Sequence, residues 1–186
     1  EPPPPPGGAA GRPIAGFRAI ELRRVTFAYA DRAGETTFRV GPLDLVLRPG
    51  EIVLVAGGNG SGKSTLLKLL VGLYPPAAGE RRVDGRADLA PDEHRALFSA
   101  VLADHHLFRR LDHGLPGVEP ARVRALLGRL GLDRKVAFAD GAFSTTAALS
   151  TGQRKRLALV VAVLEDRPVL VLDEWTADQD PGFRAL

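Results

Sequence analysis

Four glycines beside a lysine and a serine form the part of this sequence best suited to chemistry. They lie in the stretch GGNGSGKST, residues 57–65. Glycine lets a ligand approach the backbone closely, so several N–H groups can point at one anion. Lysine adds a positive charge, and a serine hydroxyl is an oxygen ligand for Mg²⁺. The residue types therefore favour a polyphosphate ligand.

The spacing of the stretch matches a Walker A motif, G-x4-G-K-S. In that motif Lys63 reaches the β and γ phosphates, and the Ser64 hydroxyl binds Mg²⁺. A purely structural glycine turn is the alternative, and the flanking elements disfavour it. The predicted nucleotide-binding residues of the loop are Gly57, Gly58, Asn59, Gly60, Ser61, Gly62, Lys63, Ser64 and Thr65.

Two acids near the end of the chain complete the predicted chemistry. Asp173 and Glu174 follow the apolar run VLVL, which predicts a buried strand. We expect Asp173 to hold Mg²⁺ through water and Glu174 to polarise the attacking water as a general base. Lys63 and Glu174 are thus the predicted catalytic residues. A solvated strand end is the alternative for the two acids.

The elements that must position these groups follow from periodicity. Residues 52–56 are continuously apolar and predict a buried strand before the glycine loop. Residues 65–73 predict a helix after it, which Pro75 and Pro76 end. Residues 17–29 alternate and predict a strand with one buried face.

The second half of the chain predicts two helices. The first places four apolar residues on one face: Val123, Leu126, Leu127 and Leu130. The second begins after Ser150, the predicted N-cap, and turns four others towards the core: Leu157, Val160, Val161 and Leu164. Between the loop and these helices, GERRVDG predicts a short strand, and RALFSAVLA fits either a strand or a helix end.

Composition limits the alternatives. The chain has 186 residues, 45% hydrophobic and 25% charged, which is typical of one globular domain. It has no cysteine, so disulfides and thiolate metal sites are excluded. The net charge of +3 is spread without a basic run between aromatic residues, so no nucleic-acid partner is predicted. The four histidines are expected at the surface or in loops.

The stretches GGNGSGKS, LSTGQRKRLAL and VLVLDEWTADQD together resemble the nucleotide-binding domain of ABC transporters. The resemblance implies an α/β P-loop NTPase fold with a small β subdomain and a helical subdomain, roughly residues 104–165. It covers residues 17–186, after a Pro/Gly-rich linker or tail at residues 1–16. The family's switch histidine would follow Asp180, so the sequence predicts a domain truncated at its C-terminus, with its own hydrolysis in doubt.

The same resemblance implies further site residues and partners. ATP and Mg²⁺ are the implied ligands, with Tyr29 stacking on adenine; a half-buried strand tyrosine is the alternative. Asp180 occupies the D-loop position. The implied partner is a second nucleotide-binding domain in a head-to-tail homodimer, which each signature segment would contact across the interface. That segment is Leu149, Ser150, Thr151, Gly152 and Gln153.

Several positions depart from the family pattern. Thr151 replaces the first glycine of the signature, and Trp175 replaces a proline. Ala103 stands where the family has a glutamine, so either Asp104 supplies a metal or water contact, or this loop couples differently to its membrane partner.

Within the family, DEWTADQDP and the Gln-Arg-Lys-Arg run are similar to exporters of cyclic peptides and peptide siderophores. This similarity implies a transmembrane domain, N-terminal in the same polypeptide, and a place on the cytoplasmic face of the inner or plasma membrane. Two alternatives remain open: a soluble ABC ATPase that acts outside transport, and a nucleotide-binding module without turnover.

Overall fold

The computed structural model describes residues 16–31, 33–111, 115 and 117–175. They divide into two compact units, one extending to Phe98 and the other beginning at Ser99. The predicted linker, apart from Gly16, lies outside the described residues, as do His113 and Asp180.

The first unit contains a three-stranded antiparallel sheet. Its strands are β1 (Ile20–Ala30), β2 (Thr36–Leu47) and β3 (Ala78–Val83), in the order β2-β1-β3. The predicted alternation of β1 is observed, because Ile20, Leu22 and Val25 are buried. The β1–β2 register places Tyr29 opposite Phe38.

The first unit also holds helix α1 (Lys63–Val71), directly after the glycine loop, and the short helix α2 (Pro91–Arg95). The sequence predicted that prolines 75 and 76 end the first helix, and this is wrong. The helix ends at Gly72, which has a φ of +83° and donates its N–H to the Leu69 carbonyl. A glycine in the left-handed region commonly ends a helix. The two prolines therefore lie after the helix has ended and do not cause its end.

The predicted buried strand at residues 52–56 is also wrong. This segment forms no strand, and the side chains of Ile52 and Leu54 are 92% and 89% exposed. An apolar run becomes a buried strand only when neighbouring strands and helices cover it. Among the described residues no strand pairs with it.

The second unit combines a strand pair with helices. β4 (Phe98–Val101) pairs with β7 (Val169–Leu172), and a small hairpin is formed by β5 (Phe138–Ala139) and β6 (Ala142–Phe143). The helices are α3 (Pro120–Arg129) and α4 (Thr151–Leu164). The segment RALFSAVLA thus contains both the end of α2 and strand β4. In the described part of the chain, no helix is long and apolar enough to cross a membrane.

The helix faces predicted from periodicity are observed. Val123 and Leu127 of α3 are buried in one apolar cluster with Leu157 and Val160 of α4. Leu126, Leu130 and Val161 pack against this cluster and are partly buried. β7 is less covered than predicted, because Val171 is buried whereas Leu170 is 44% exposed. A strand with one described neighbour keeps an open edge.

The C-terminal end of α1 is held by hydrogen bonds from the side chains of His94 and Arg81. His94 lies buried in α2, with its Nε2 2.8 Å from the Leu70 carbonyl oxygen. Arg81 donates to the carbonyls of Leu69 and Tyr74. His94 thus gives a partner to the Leu70 carbonyl at the helix end, and Arg81 adds a second donor to the Leu69 carbonyl, which also accepts from Gly72. The expectation that all histidines lie at the surface or in loops is therefore wrong for His94, because a periodicity argument does not detect a side chain that caps another helix.

Burial lowers the pKa of His94 below its usual value of 6.5, and the charges of Arg81 and Arg95 lower it further, against the hydrogen bond to Leu70, which raises it. His94 is therefore neutral in the folded protein at pH 7 and donates its Nε2 proton.

We expect the stabilisation from His94 to be fully present above pH 6.5, the pKa in the unfolded chain, and to be lost as the pH falls towards the lowered pKa of the folded state. In that window the unfolded chain binds more protons. Thermal unfolding of the intact protein at about pH 7.5 and about pH 5.5 measures the effect. His94→Gln, which donates without titrating, should show a smaller decrease. An equal decrease in His94→Gln and in the exposed control His106→Gln would contradict this assignment.

Candidate nucleotide-binding site

The glycine loop is folded around the ammonium group of Lys63. The Lys63 Nζ donates hydrogen bonds to the carbonyl oxygens of Gly57 and Gly58, at 2.8 and 2.9 Å. Ser61 closes a turn, donating its N–H to the Gly58 carbonyl. The positive charge thus lies over the loop backbone, where Coulomb attraction favours an anionic ligand.

The first turn of α1 carries no side-chain cap. Its N-cap is Gly62, which has no side chain to accept from the helix N–H groups, and no acidic residue lies in the first turn. The α4 N-terminus differs, since the Ser150 hydroxyl accepts from the Gln153 N–H. Uncapped N–H groups and the helix dipole attract anions. The α1 terminus therefore fits the phosphates of ATP.

Gly62 is required by both conformation and space. Its φ is +91°, a region that favours glycine, and an added Cβ would lie 2.7 Å from the Val40 Cγ2 and 3.3 Å from the Phe38 ring. Gly58 has open space around it and no positive φ. Strand β2 thus forms a surface against which the end of the loop rests.

Tyr29 connects strand β1 to the phosphate-loop helix. Its hydroxyl lies 3.2 Å from the buried Thr65 hydroxyl, within hydrogen-bond distance. The Tyr29 ring packs edge-on against Phe27 and Tyr74, at centroid distances of 5.0 and 6.0 Å. The structure therefore brings Tyr29 and the loop helix together. Its stacking on adenine stays a prediction.

The two predicted acids lie in the second unit, at the end of β7. Asp173 is 4% exposed, and its Oδ2 has no hydrogen-bond partner among the described residues. A buried carboxylate oxygen without a donor is costly in water-excluded surroundings, and a cation or bound water would satisfy it. This buried carboxylate oxygen fits the predicted role of Asp173 in holding Mg²⁺ through water.

Glu174 is exposed and has a φ of +50°, a rare backbone conformation for a residue other than glycine. The ammonium of Lys155, on α4, donates to the Glu174 carbonyl oxygen at 2.9 Å. Sequence reasoning missed Lys155, because a lysine in a basic run looks like surface. The signal that could have found it is its position, between the signature and Leu157 on the buried face of the helix.

The signature segment forms the start of α4. Ser150 is the N-cap, as predicted, and the Gln153 side chain accepts in return from the Ser150 N–H. Leu149 and Gly152 are buried, whereas Ser150 and Thr151 are exposed. Thr151 is therefore accessible at the N-terminal end of α4, and the contact of the signature segment with a partner stays a prediction.

The remaining predicted positions lie in the loop after β4. Ala103 and Asp104 are exposed, and His105 places its Nδ1 2.9 Å from the Leu102 carbonyl oxygen. Among the described residues, no group of three or more histidine, cysteine or acidic side chains could hold a metal ion. The role of Asp104 as a metal or water contact stays a prediction.

The sequence of the chain matches the family model described as "ABC transporter" over residues 40–177. The chain belongs to the ABC transporter family. The matched region includes the glycine loop, the signature segment and both acids.

The relatives of the chain are longer proteins. It is 48% identical over 172 residues to the ATP-binding protein SyrD of Pseudomonas syringae pv. syringae, a match that covers 89% of this chain and 30% of SyrD. It is 38% identical over 179 residues to the mycobactin import ATP-binding/permease protein IrtA of Mycolicibacterium thermoresistibile, covering 90% of this chain and 19% of IrtA. It is 35% identical over 184 residues to the ATP-dependent lipid A-core flippase of Burkholderia pseudomallei, a match that covers 91% of this chain and 30% of the flippase.

The fold is similar to that of a solved bacterial Atm1-family ABC exporter with ATP bound. The TM-score is 0.75 at 23% identity, and the match covers 95% of this chain and 33% of that chain. Together with the family match, this likeness confirms the predicted α/β ABC-type ATPase fold. The chain spans about a third or less of the length of the relatives it matches.

We expect Gly62→Ala to weaken binding of MgATP and to lower the free energy of unfolding by about 1–2 kcal/mol, the cost of a left-handed conformation at a residue with a Cβ. Calorimetric titration and thermal unfolding of the intact protein measure the two effects. Gly128→Ala is the control, because Gly128 lies in α3, outside the loop, has no positive φ, and an added Cβ there enters open space. Equal behaviour of the two variants would show that the Gly62 backbone does not shape the loop.

Proposed function

We propose that this chain is the ATP-binding and ATP-hydrolysing part of an ABC exporter whose cargo is a cyclic peptide or a peptide siderophore. One observation carries the ATPase part of the proposal: the Lys63 ammonium lies over a glycine loop whose following helix has no side-chain cap. This arrangement supplies positive charge and free backbone donors at one place, and both suit a polyphosphate.

In this proposal each predicted residue has its own role. Lys63 and the loop N–H groups orient the phosphates for in-line attack, and Glu174 accepts the proton of the attacking water. Ser64 and, through water, Asp173 would hold Mg²⁺. The ion supplies charge neutralisation on the phosphate oxygens when it is bound. Tyr29 would stack on adenine.

The proposed partners follow from the family. A second copy of the chain would contribute Ser150 and the N-terminus of its α4 to the nucleotide, and Asp180 would lie at the same interface. A transmembrane domain, N-terminal in the same polypeptide, would carry the cargo. In this proposal the chain would lie at the cytoplasmic face of the inner or plasma membrane.

The cargo class rests on similarity at the sequence level. The runs DEWTADQDP and Gln-Arg-Lys-Arg are similar to the peptide-exporting branch. The match to SyrD at 48% identity supports the ATP-binding part of the proposal. The name of IrtA includes mycobactin import, which supports a siderophore-like cargo but gives the opposite direction. Export is the direction we propose.

We expect Lys63→Ala to abolish saturable binding of MgATP, because it removes the charge that lies over the loop. Calorimetric titration with ATP, with and without Mg²⁺, measures the loss. Lys68→Ala is the control on the same helix, since Lys68 follows the loop by more than a turn and lies 5.7 Å from the Tyr74 ring centroid. Unchanged ATP affinity in Lys63→Ala would overturn the site assignment.

We expect Glu174→Gln to keep MgATP binding, to lower the hydrolysis rate by about 10²-fold or more, and to accumulate an ATP-bound dimer, because an amide cannot accept the water proton. Phosphate release and sedimentation of the intact protein with ATP measure these effects. Asp140→Asn, at another acidic residue with a positive φ, is the control. Hydrolysis at the normal rate in Glu174→Gln would favour a nucleotide-binding role with a different base or none.

A further inference from the structure

We propose that Lys155 is a positioning residue for Glu174: its buried ammonium group holds the backbone that aims the Glu174 carboxylate. The inference rests on the proposed function, in which Glu174 activates the attacking water. It assigns a role to a side chain outside the phosphate loop and the two acids at the end of β7.

The first observation is the backbone of Glu174 itself. Its φ of +50° lies in the left-handed region, which a residue with a Cβ enters only when its surroundings hold it there. Such conformations occur often at functional sites. The Glu174 backbone therefore needs a contact that fixes it.

Lys155 supplies such a contact. Its Nζ donates a hydrogen bond to the Glu174 carbonyl oxygen at 2.9 Å, across 19 positions of sequence. The donor is charged, and charge-assisted hydrogen bonds are the stronger ones. The contact joins the signature helix α4 to the residue that directly follows Asp173.

The burial of Lys155 makes this contact specific. The residue is only 4% exposed, and lysine is almost never this buried unless its ammonium is paired. A buried ammonium must keep its acceptors, because their loss leaves a charge without solvation. Lys155 is thus restrained near the Glu174 carbonyl in a way that an exposed lysine would not be.

The Glu174 carboxylate is oriented through its backbone and not through contacts of the side chain. The residue is exposed, and no hydrogen bond or ion pair to its carboxylate is found within the described ranges. The direction of a Cα–Cβ bond is set by the backbone atoms around it, so fixing φ and the carbonyl also fixes where the side chain starts. The Glu174 carboxylate thus stays accessible to water while the Glu174 backbone is held in place.

The position of Lys155 on α4 has a further consequence. It lies four residues after Thr151, one helical turn from the exposed end of the signature. The hydrogen bond from Lys155 therefore joins the first turns of the signature helix to the end of β7 within one chain.

The test compares Lys155→Met, which keeps the unbranched side chain and removes the ammonium, with Arg154→Met, which removes the same charge from the exposed neighbour. In the intact protein we expect Lys155→Met to lower kcat for ATP hydrolysis about tenfold or more, while KM stays within about twofold. Lys155→Arg, which keeps a charged donor, should recover part of kcat. Arg154→Met should behave like the natural protein.

A double variant separates positioning from a structural role. If Lys155 acts through Glu174, Lys155→Met in a Glu174→Gln background should lower hydrolysis no further than Glu174→Gln alone. Additive losses, or a loss of MgATP affinity equal to the loss of kcat, would overturn the inference. If Lys155→Met does not fold, Lys155→Gln, which keeps an uncharged donor, is measured in its place.

The same measurements distinguish this inference from the proposed function. Normal kcat in Lys155→Met beside a large loss in Glu174→Gln would overturn the role of Lys155 alone. Normal kcat in Glu174→Gln would overturn the general-base role, and the positioning role with it.

Discussion

The structure of this chain depends on one electrostatic constraint: the N-terminus of α1 must remain without a protein cap. A glycine N-cap and the absence of an acid in the first turn leave that helix end positive. No capping side chain fixes the glycine loop to the start of α1, so other hydrogen bonds must fix the loop. The Lys63 ammonium provides part of that order by bonding to two loop carbonyls.

The surroundings of α1 follow from the same constraint. Its first turn rests on β2 through Gly62 and is connected to β1 by the Tyr29–Thr65 contact. Its last turn is held by His94 and Arg81, which donate to the carbonyls of Leu70 and Leu69. A helix fixed at its far end and along its side can present an unsatisfied near end to a ligand.

In the second unit, two buried cationic side chains likewise donate hydrogen bonds to backbone carbonyls. Lys155 donates to the Glu174 carbonyl, and Arg156 donates to the Leu130 carbonyl at the end of α3. Both lie on α4, whose apolar residues form a cluster with those of α3. The apolar contacts hold the helices together, while the two charges satisfy backbone groups that packing alone would leave without partners.

The sequence by itself determined the features that depend on local chemistry: the glycine loop before α1, the Ser150 cap of α4, and the apolar faces of α3 and α4. Each is set by residue type and spacing within about two turns of chain. Only the tertiary structure decided that residues 52–56 lie exposed, that His94 is buried against α1, and that Lys155 holds Glu174. These outcomes depend on which distant segments meet, because burial and hydrogen-bond partners are properties of the packed chain and leave no local periodic signal.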